Sequence, residues 1–291
     1  MKKMDLVIAT NNPDKAHHIA GIIGTAFGSG AVAKVIVVGD SYETVRKIEG
    51  SYDFGPVVFL NANVGSQVLQ RQMGLKATCA QYIFQTDDDV FFSSRDLLTL
   101  FAESAPDRYV CPLIYDFDNS QFQGEGFWRA MESSKIRYWA VKFLINLSKD
   151  IKEGELLASG RPVPFNGRKK WDEKREFPIL FLNSTMIFPR KFVPKYAYFE
   201  CLGPGFWEDV YCQFSFSREL SGVGVGKIFI ATYSHGVTSS SLLVAIRKGL
   251  RQYFNLNKVR KKIRGSLFSF ICDFILFNLS VFFNLIKIKW K

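Results

Sequence analysis

NANVGSQVLQRQMGLKATCAQYIFQTDDDVFF, from Asn61 to Phe92, is the stretch whose reading sets the fold. Near its end an apolar run, Gln81 to Gln85, stops at Thr86 and three consecutive aspartates, Asp87, Asp88 and Asp89, before Val90-Phe91-Phe92 resumes the apolar texture. Adjacent carboxylates repel one another, and a divalent cation makes such an arrangement favourable. A solvated turn or a helix N-cap also suits aspartate. Neither needs the triplet pinned between two hydrophobic segments, so a metal site is the stronger expectation.

The same texture recurs on the amino-terminal side. Short apolar, β-branched runs at Asp5 to Ala9, Ala33 to Val38 and Val57 to Leu60 are closed in turn by Thr10-Asn11-Asn12-Pro13, Gly39-Asp40-Ser41 and Asn61-Ala62-Asn63. Helical patterns lie between them, the first from about Asp14. Strand runs at this spacing predict βαβ units and a parallel sheet. Ligands of open α/β sheets bind outside the carboxyl ends of the strands. Thr10, Asn11, Asp40, Asn63 and the three aspartates are therefore expected in one crevice, although they are scattered in sequence.

The chain has 291 residues and a formal net charge of +11, with 47% apolar residues and 28 phenylalanines. That composition excludes disorder as a whole-chain explanation. The charge is local: from Val237 to Lys291 eleven basic residues face the single acid Asp273, a net of +10, and the preceding 236 residues net +1. A near-neutral body with a basic, aromatic tail argues against a nucleic-acid-binding surface and for delivery to an anionic membrane. Five widely spaced cysteines without a C-x-x-C pair suggest free buried thiols and a reducing compartment. The apolar run after Met1 is too short for a signal-peptide core, so the expected location is the cytoplasm.

Beyond Ser104 the repeats lose their clarity. Gly160 to Glu176, rich in glycine, proline and charge, reads as an exposed loop over the site. Phe177 to Phe188 reads as a strand, and Phe206 to Leu220 contains a helix-like stretch that starts at Trp207-Glu208-Asp209. From Ser266 to Lys291 the polar residues Ser266, Ser269, Asp273, Ser280, Asn284, Lys287 and Lys291 fall at helical spacing on one stripe of a largely apolar segment, with Asn278 off it. Asp273 and basic flanks at both ends oppose a span. A helix lying in the cytoplasmic membrane interface is expected, with packing on the body as the alternative.

These residues resemble glycosyltransferase family 2, the inverting sugar-nucleotide enzymes of the GT-A fold. Asn63 and Gly65 match its N-x-G element, Arg71 and Gly74 its R-N-x-G element, Tyr82-Ile83 its central strand, and Asp87 to Asp89 its metal motif. Gln72 stands where the family commonly has asparagine. Val7 to Asn12 is similar to the opening strand and first nucleotide-contacting loop, and Val37 to Ser41 to the second, whose aspartate, here Asp40, reads the base. DDDVFF and EDVY also resemble the fringe-type β-1,3-glycosyltransferases, but the Asn63/Gly65/Arg71/Gly74 pattern fits family 2 better.

The resemblance implies an α/β fold of GT-A type: a Rossmann-like nucleotide-binding mixed, mostly parallel sheet over residues 1–240, with its donor half in 1–105 and its acceptor half in 106–240. An amphipathic helical tail over 241–291 would carry the membrane contact. Thr10, Asn11, Asn12, Asp40, Asn63, Gly65, Arg71, Gln72, Asp87 and Asp88 would bind a nucleotide-sugar donor, a UDP-sugar foremost. Asp87, Asp89 and His235 would hold manganese or magnesium. Asp209, with Glu208 as its fallback, would take the proton from a glycan or lipid-linked acceptor in cell-surface polysaccharide synthesis. Two other readings are a nucleotidyltransferase of similar fold and a non-catalytic membrane-associated scaffold. The first lacks a glycine-rich basic phosphate loop between Thr10 and Ala20, and the second has no need of an acceptor-side carboxylate facing the three aspartates.

Overall fold

The computed structural model describes residues 3–52, 55–166, 175–177, 185–195, 220–232 and 242–276. Its amino-terminal third is a run of alternating strands and helices: β1 (Met4–Thr10), α1 (Ala16–Gly28), β2 (Val32–Gly39), α2 (Tyr42–Glu49), β3 (Val57–Asn61), α3 (Gln67–Lys76) and β4 (Tyr82–Asp87). There follow β5 (Val90–Phe91), α4 (Ser94–Ala102), β6 (Arg108–Asp116), β7 (Gln121–Phe122), α5 (Glu125–Glu132), α6 (Lys135–Trp139), β8 (Arg175–Phe177), β9 (Met186–Pro189) and β10 (Ser221–Thr232). All ten strands belong to one sheet with the order β3-β2-β1-β4-β9-β6-β10-β5, β7 adding to β6 and β8 to β10. The pairings leave six strands running one way, with β5, β7, β8 and β9 opposed. This is the mixed, mostly parallel α/β sheet expected, and the four amino-terminal strands fall within a residue or two of their expected bounds.

Sequence explains the layering. Every residue of β1 is buried, as a strand covered by helices on both faces requires. Ile19, Ile22, Ile23 and Ala26 give α1 one apolar side that packs against β1 and β2. On the opposite face α3 lies against β1 and β2 through Val68, Gly74 and Leu75. Gly74 sets that distance. A Cβ there would come within 2.5 Å of Val7 Cγ1 and 3.1 Å of Val38 Cγ2. Gly74→Ala is expected to lower stability by about 1–3 kcal/mol through overpacking, read as a shift in denaturant midpoint. An unchanged midpoint would mean that α3 lifts off the sheet without cost.

The order of the strands forces the sheet to curl. Only Asp88 and Asp89 separate the end of β4 from the start of β5. Yet β5 pairs with β10, Val90 opposite Thr232 and Phe91 opposite Ala231, four places along the order from β4. Three peptide steps span at most about 11 Å, whereas four strand spacings in a flat sheet cover about 19 Å. The acidic turn is thus a short strap that holds β10 back toward β4.

The segment between Gly160 and Glu176 departs from the sequence reading in its first half. Ser159 and Val163 are fully buried, and Phe165 nearly so. Ser159 and Val163 lie against a carboxyl-terminal helix over 267–276, Gly160 lies against the end of another, Leu242–Lys262, and Phe165 packs with Tyr109 and Phe188 of the sheet. Gly160, at φ +90°, lies so close to Arg260 that a Cβ would meet its backbone nitrogen at 2.9 Å. The glycine and proline content that reads as an exposed loop is here a close backbone crossing. Of the strand expected over Phe177 to Phe188, Phe177 ends β8 and Met186 to Phe188 lie in β9; residues 178–184 between them, residues 206–219 of the expected helix-like stretch and the boundary expected near residue 240 lie outside the described residues. Of the three described cysteines, all free, Cys111 is buried and Cys79 is exposed, so burial is only part of the cysteine pattern. Among the described residues no helix is long and apolar enough to cross a membrane.

Candidate active site

The acidic turn sits at the carboxyl end of β4, next to the carboxyl end of β1. Each carboxylate has a different neighbour. Asp87 receives the guanidinium Nη2 of Arg71, a nearly fully buried side chain on α3. Asp88 turns inward and is buried, accepting from Thr10 Oγ1 at 2.6 Å and from Lys15 Nζ at 2.7 Å. Asp89 lies 3.6 Å from Lys15 Nζ and near Thr232 at the end of β10. The three face a cavity of about 470 Å³ lined by Asn11, Asn12, Lys15, Gln67, Asp87, Asp88 and Asp89.

The loops at the sheet edge are stitched together around this cavity. Asn12 caps the short 3-10 turn before α1, its Oδ1 accepting from Asp14 N at 2.9 Å. Asn11 Nδ2 donates to the carbonyl of Gly65 at 3.1 Å, and its Oδ1 accepts from Gln70 Nε2. Gln70, fully buried, also donates to Val64 O at 2.9 Å. The loop after β3 is thereby fixed to the loop after β1. A side chain at Gly65 would meet nothing within 4 Å, so packing does not demand glycine there and the space beside the loop is open. Asn63 adopts φ +52°, a left-handed conformation that asparagine tolerates, and is held by reciprocal bonds with Asn61 at 2.8 and 2.9 Å. Asp40 ends β2 and accepts from Thr44 Oγ1 at 2.7 Å as α2 begins. Gln72 is half-buried on α3.

Thr10, Asn11, Asn12, Arg71, Asp87, Asp88 and Asp89 thus meet directly, and Gly65 joins them through Asn11. Asp40 and Asn63 share the same sheet edge, with their side chains engaged in local turns. Glu208, Asp209 and His235 lie outside the described residues. The sequence reading missed Lys15, Gln67, Gln70 and Thr232. Gln67 and Gln70 fall within the quoted stretch, and Lys15 is one turn past the first polar loop. A lysine just after T-N-N-P could have been found by asking which cation is within reach of three adjacent carboxylates. Thr232 had no local signal, because its role depends on the curl of the sheet.

The electrostatics follow from crowding. Burial first, then the charge of Asp87, push the Asp89 carboxyl up to about 6, against the opposing pull of Lys15. Burial alone would lower the Lys15 ammonium, but its hydrogen bond to Asp88 and the charges of all three aspartates outweigh that and hold it raised. Two chain cations, Lys15 and Arg71, therefore offset three carboxylates only in part.

Among the described residues no group of three metal-binding side chains surrounds one point. That excludes a preformed all-protein cage from this part of the chain. Magnesium and manganese rarely need one. They are commonly held by one or two carboxylates with the substrate's phosphates completing the shell. Asp87 and Asp89, at the cavity wall with Asp89 short of a full counter-charge, fit that kind of site.

No family model matches the chain, and no curated protein matches it. Among solved structures, the crystal structure of residues 1–349 of Staphylococcus aureus TarS is similar at 13% identity and a TM-score of 0.48, covering 80% of this chain and 60% of that one. A second S. aureus TarS crystal structure gives 14% identity and a TM-score of 0.49 over 79% of this chain and 36% of that one. The chain spans less than two thirds of either. At that overlap the crevice, not the neighbour, has to support a function.

Proposed function

We propose that the chain is a metal-dependent inverting glycosyltransferase that moves a sugar from a nucleotide donor, a UDP-sugar foremost, to a glycan or lipid-linked acceptor of a cell-surface polysaccharide. The observation that carries this is the placement of Asp87 to Asp89 at the carboxyl ends of parallel strands, in one cavity with Asn11, Asn12, Lys15 and Gln67. A nucleotide diphosphate leaves readily only when its developing charge is offset, and a divalent ion supplies that offset when bound. Asp87 and Asp89 would hold the ion. Arg71 fixes Asp87 in place, while Lys15 brings an ammonium to the same cavity, where a diphosphate also needs a positive partner. The amides of Asn11 and Asn12 and the open backbone at Gly65 suit contact with the nucleotide.

Inversion requires the acceptor oxygen to bond the anomeric carbon as the bond to diphosphate breaks on the opposite face. The hydroxyl proton must pass to a base. Asp209 is the proposed base, with Glu208 next to it as the alternative, on the strength of the E-D resemblance. His235 is proposed as a further ligand of the ion on the same ground.

The deciding experiment is calorimetric titration with a panel of sugar nucleotides, with manganese, magnesium or a chelator, alongside an assay of nucleotide release. Binding to one donor only when metal is present supports the reading; no binding of any sugar nucleotide under any metal condition overturns it. A pH dependence accompanies it. With Asp89 protonated below about 6, the metal competes with a proton, so affinity should fall about tenfold per unit below that point and level off above it. A flat profile between pH 5 and 7 would remove Asp89 from the ligand set.

A further inference from the structure

The helix over 267–276 is inverted relative to an ordinary surface helix. Its polar members point at the body: Ser269 is 0% and Asp273 2% exposed. Its large apolar members point outward, with Leu267 56%, Phe268 57%, Ile271 47% and Ile275 49% exposed. At about 100° per residue these four fall within an arc of about 100°, opposite Ser269 and Asp273. Cys272 and Leu276 lie beside that arc and pack on Met131, Val141, Ile145, Leu157 and Val163.

A buried clasp sets this orientation. Arg161 forks onto Asp273, Nη2 to Oδ1 at 2.6 Å and Nε to Oδ2 at 2.8 Å. Ser159 Oγ donates to the same carboxylate at 2.8 Å, and Tyr253 Oη donates to the Asp273 carbonyl at 3.0 Å. Backbone contacts repeat the message where the helix begins. Ser266 N donates to Ala158 O at 2.8 Å, and a Cβ at Gly265 would meet that same oxygen at 2.5 Å. Rotating the helix to hide its apolar arc would break every one of these bonds and leave two ions unpaired, so the arc is held outward.

Along its own stretch of chain the arc is flanked by charge of one sign. Between residues 250 and 276 the only acid is Asp273, already neutralised by Arg161, against Arg251, Lys258, Arg260, Lys261, Lys262 and Arg264. Lys261, Lys262 and Arg264 are exposed just ahead of Leu267. Leu147 and Lys149, both exposed, line the same depression as Ile263 to Ser266, which extends the patch onto the body; the one acid in that lining, Glu155, is paired with Lys152 at 4.0 Å. A partner protein's surface ordinarily offers both signs. A sheet of anionic headgroups over hydrocarbon offers one negative layer and one apolar layer, in the geometry that a basic rim around an aromatic and aliphatic arc can meet.

We propose that the outward arc Leu267, Phe268, Ile271 and Ile275, held by the Arg161–Asp273 clasp and rimmed by Lys261, Lys262 and Arg264, is a docking surface for an anionic lipid bilayer. This is independent of the transfer reaction. It would hold whatever the crevice binds.

The test is vesicle flotation of the full chain with phosphatidylcholine alone and with phosphatidylcholine containing a third phosphatidylglycerol. The pair Phe268→Ser and Ile271→Ser is compared with the native chain, and light scattering reports oligomeric state. Both positions are exposed, so folding should survive; an unchanged circular dichroism spectrum and melting point confirm it. The native chain should float with the anionic vesicles and release as salt rises, and the pair should weaken that binding tenfold or more. A second variant, Lys261→Gln with Lys262→Gln, should lose binding to the anionic vesicles at low salt. Three results would overturn the proposal: native binding indifferent to lipid charge, a serine pair that floats as well as the native chain, or a native chain that ignores vesicles and self-associates through this arc.

Discussion

Asp89→Asn will separate two properties that usually fall together: the variant should lose metal-dependent donor binding and gain stability in the absence of metal. The shape of the turn is kept, because asparagine is nearly isosteric with aspartate, and only the charge is removed. A lost ligand should cost about a hundredfold in metal affinity, seen as the disappearance of the calorimetric signal at donor concentrations that saturate the native chain. The stability gain follows from the carboxyl being pushed up to about 6. A group whose proton is held more tightly in the folded state than in the unfolded one contributes stability below its ordinary value of 3.8, and that contribution is lost as pH rises through about 6. Above that pH the native chain crowds three negative charges into the turn and the variant only two, so the metal-free variant should melt higher at pH 7.5. Added manganese should raise the melting point of the native chain and leave the variant unmoved. A variant that melts lower than the native chain without metal would show that the carboxylate is held by its partners rather than opposed by its neighbours.

The second large effect is expected at the clasp. Arg161→Met should destabilise the chain by about 3–5 kcal/mol, since it strands the buried Asp273 carboxylate with only Ser159 and Tyr253 for company. Marginal domains have about 5–15 kcal/mol in total, so the loss should be evident as poor yield or early unfolding. Adding Asp273→Leu to Arg161→Met should return much of it, because removing both ions removes the uncompensated one. The measurement is urea unfolding of the single and double variants beside the native chain. A single variant within about 1 kcal/mol of native, the size of an exposed ion pair, would mean that the clasp is solvated and does not orient the helix.

What the sequence makes legible is the half of the fold that is local. The strands from β1 to β4 declare themselves because each is a continuous apolar run, stopped by polar residues at the edge where ligands bind. Helices between them, and the parallel order that follows, need no further information. The acidic turn is legible for the same reason, with apolar segments on both sides. Lys15 and Thr232 are not, because their roles come from reach across space and not from neighbours in the chain. Gly160 to Phe165 misleads in a specific way. Glycine and proline read as signs of exposure, when Gly160 is there to let Arg260 of another helix pass close. Periodicity places the polar stripe of the tail on one face, but alone it says only that two faces exist. It takes Arg161, more than a hundred residues earlier, to decide which face turns inward.

The curl of the sheet carries a consequence for how the molecule is made. Val90, the residue after Asp89, is paired with Thr232 across 142 positions. As the chain leaves the ribosome, the amino-terminal βα repeats are complete soon after β4 and α4, but the acidic turn has no strand to lean on until β10 has been synthesised and laid beside β6. A nascent chain stopped before Ser221 would possess all three aspartates without the support that aims Asp89 into the cavity. The anchoring of that turn is therefore one of the last features to form, and cutting the chain short at any point before β10 should leave Asp89 loose at the cavity wall.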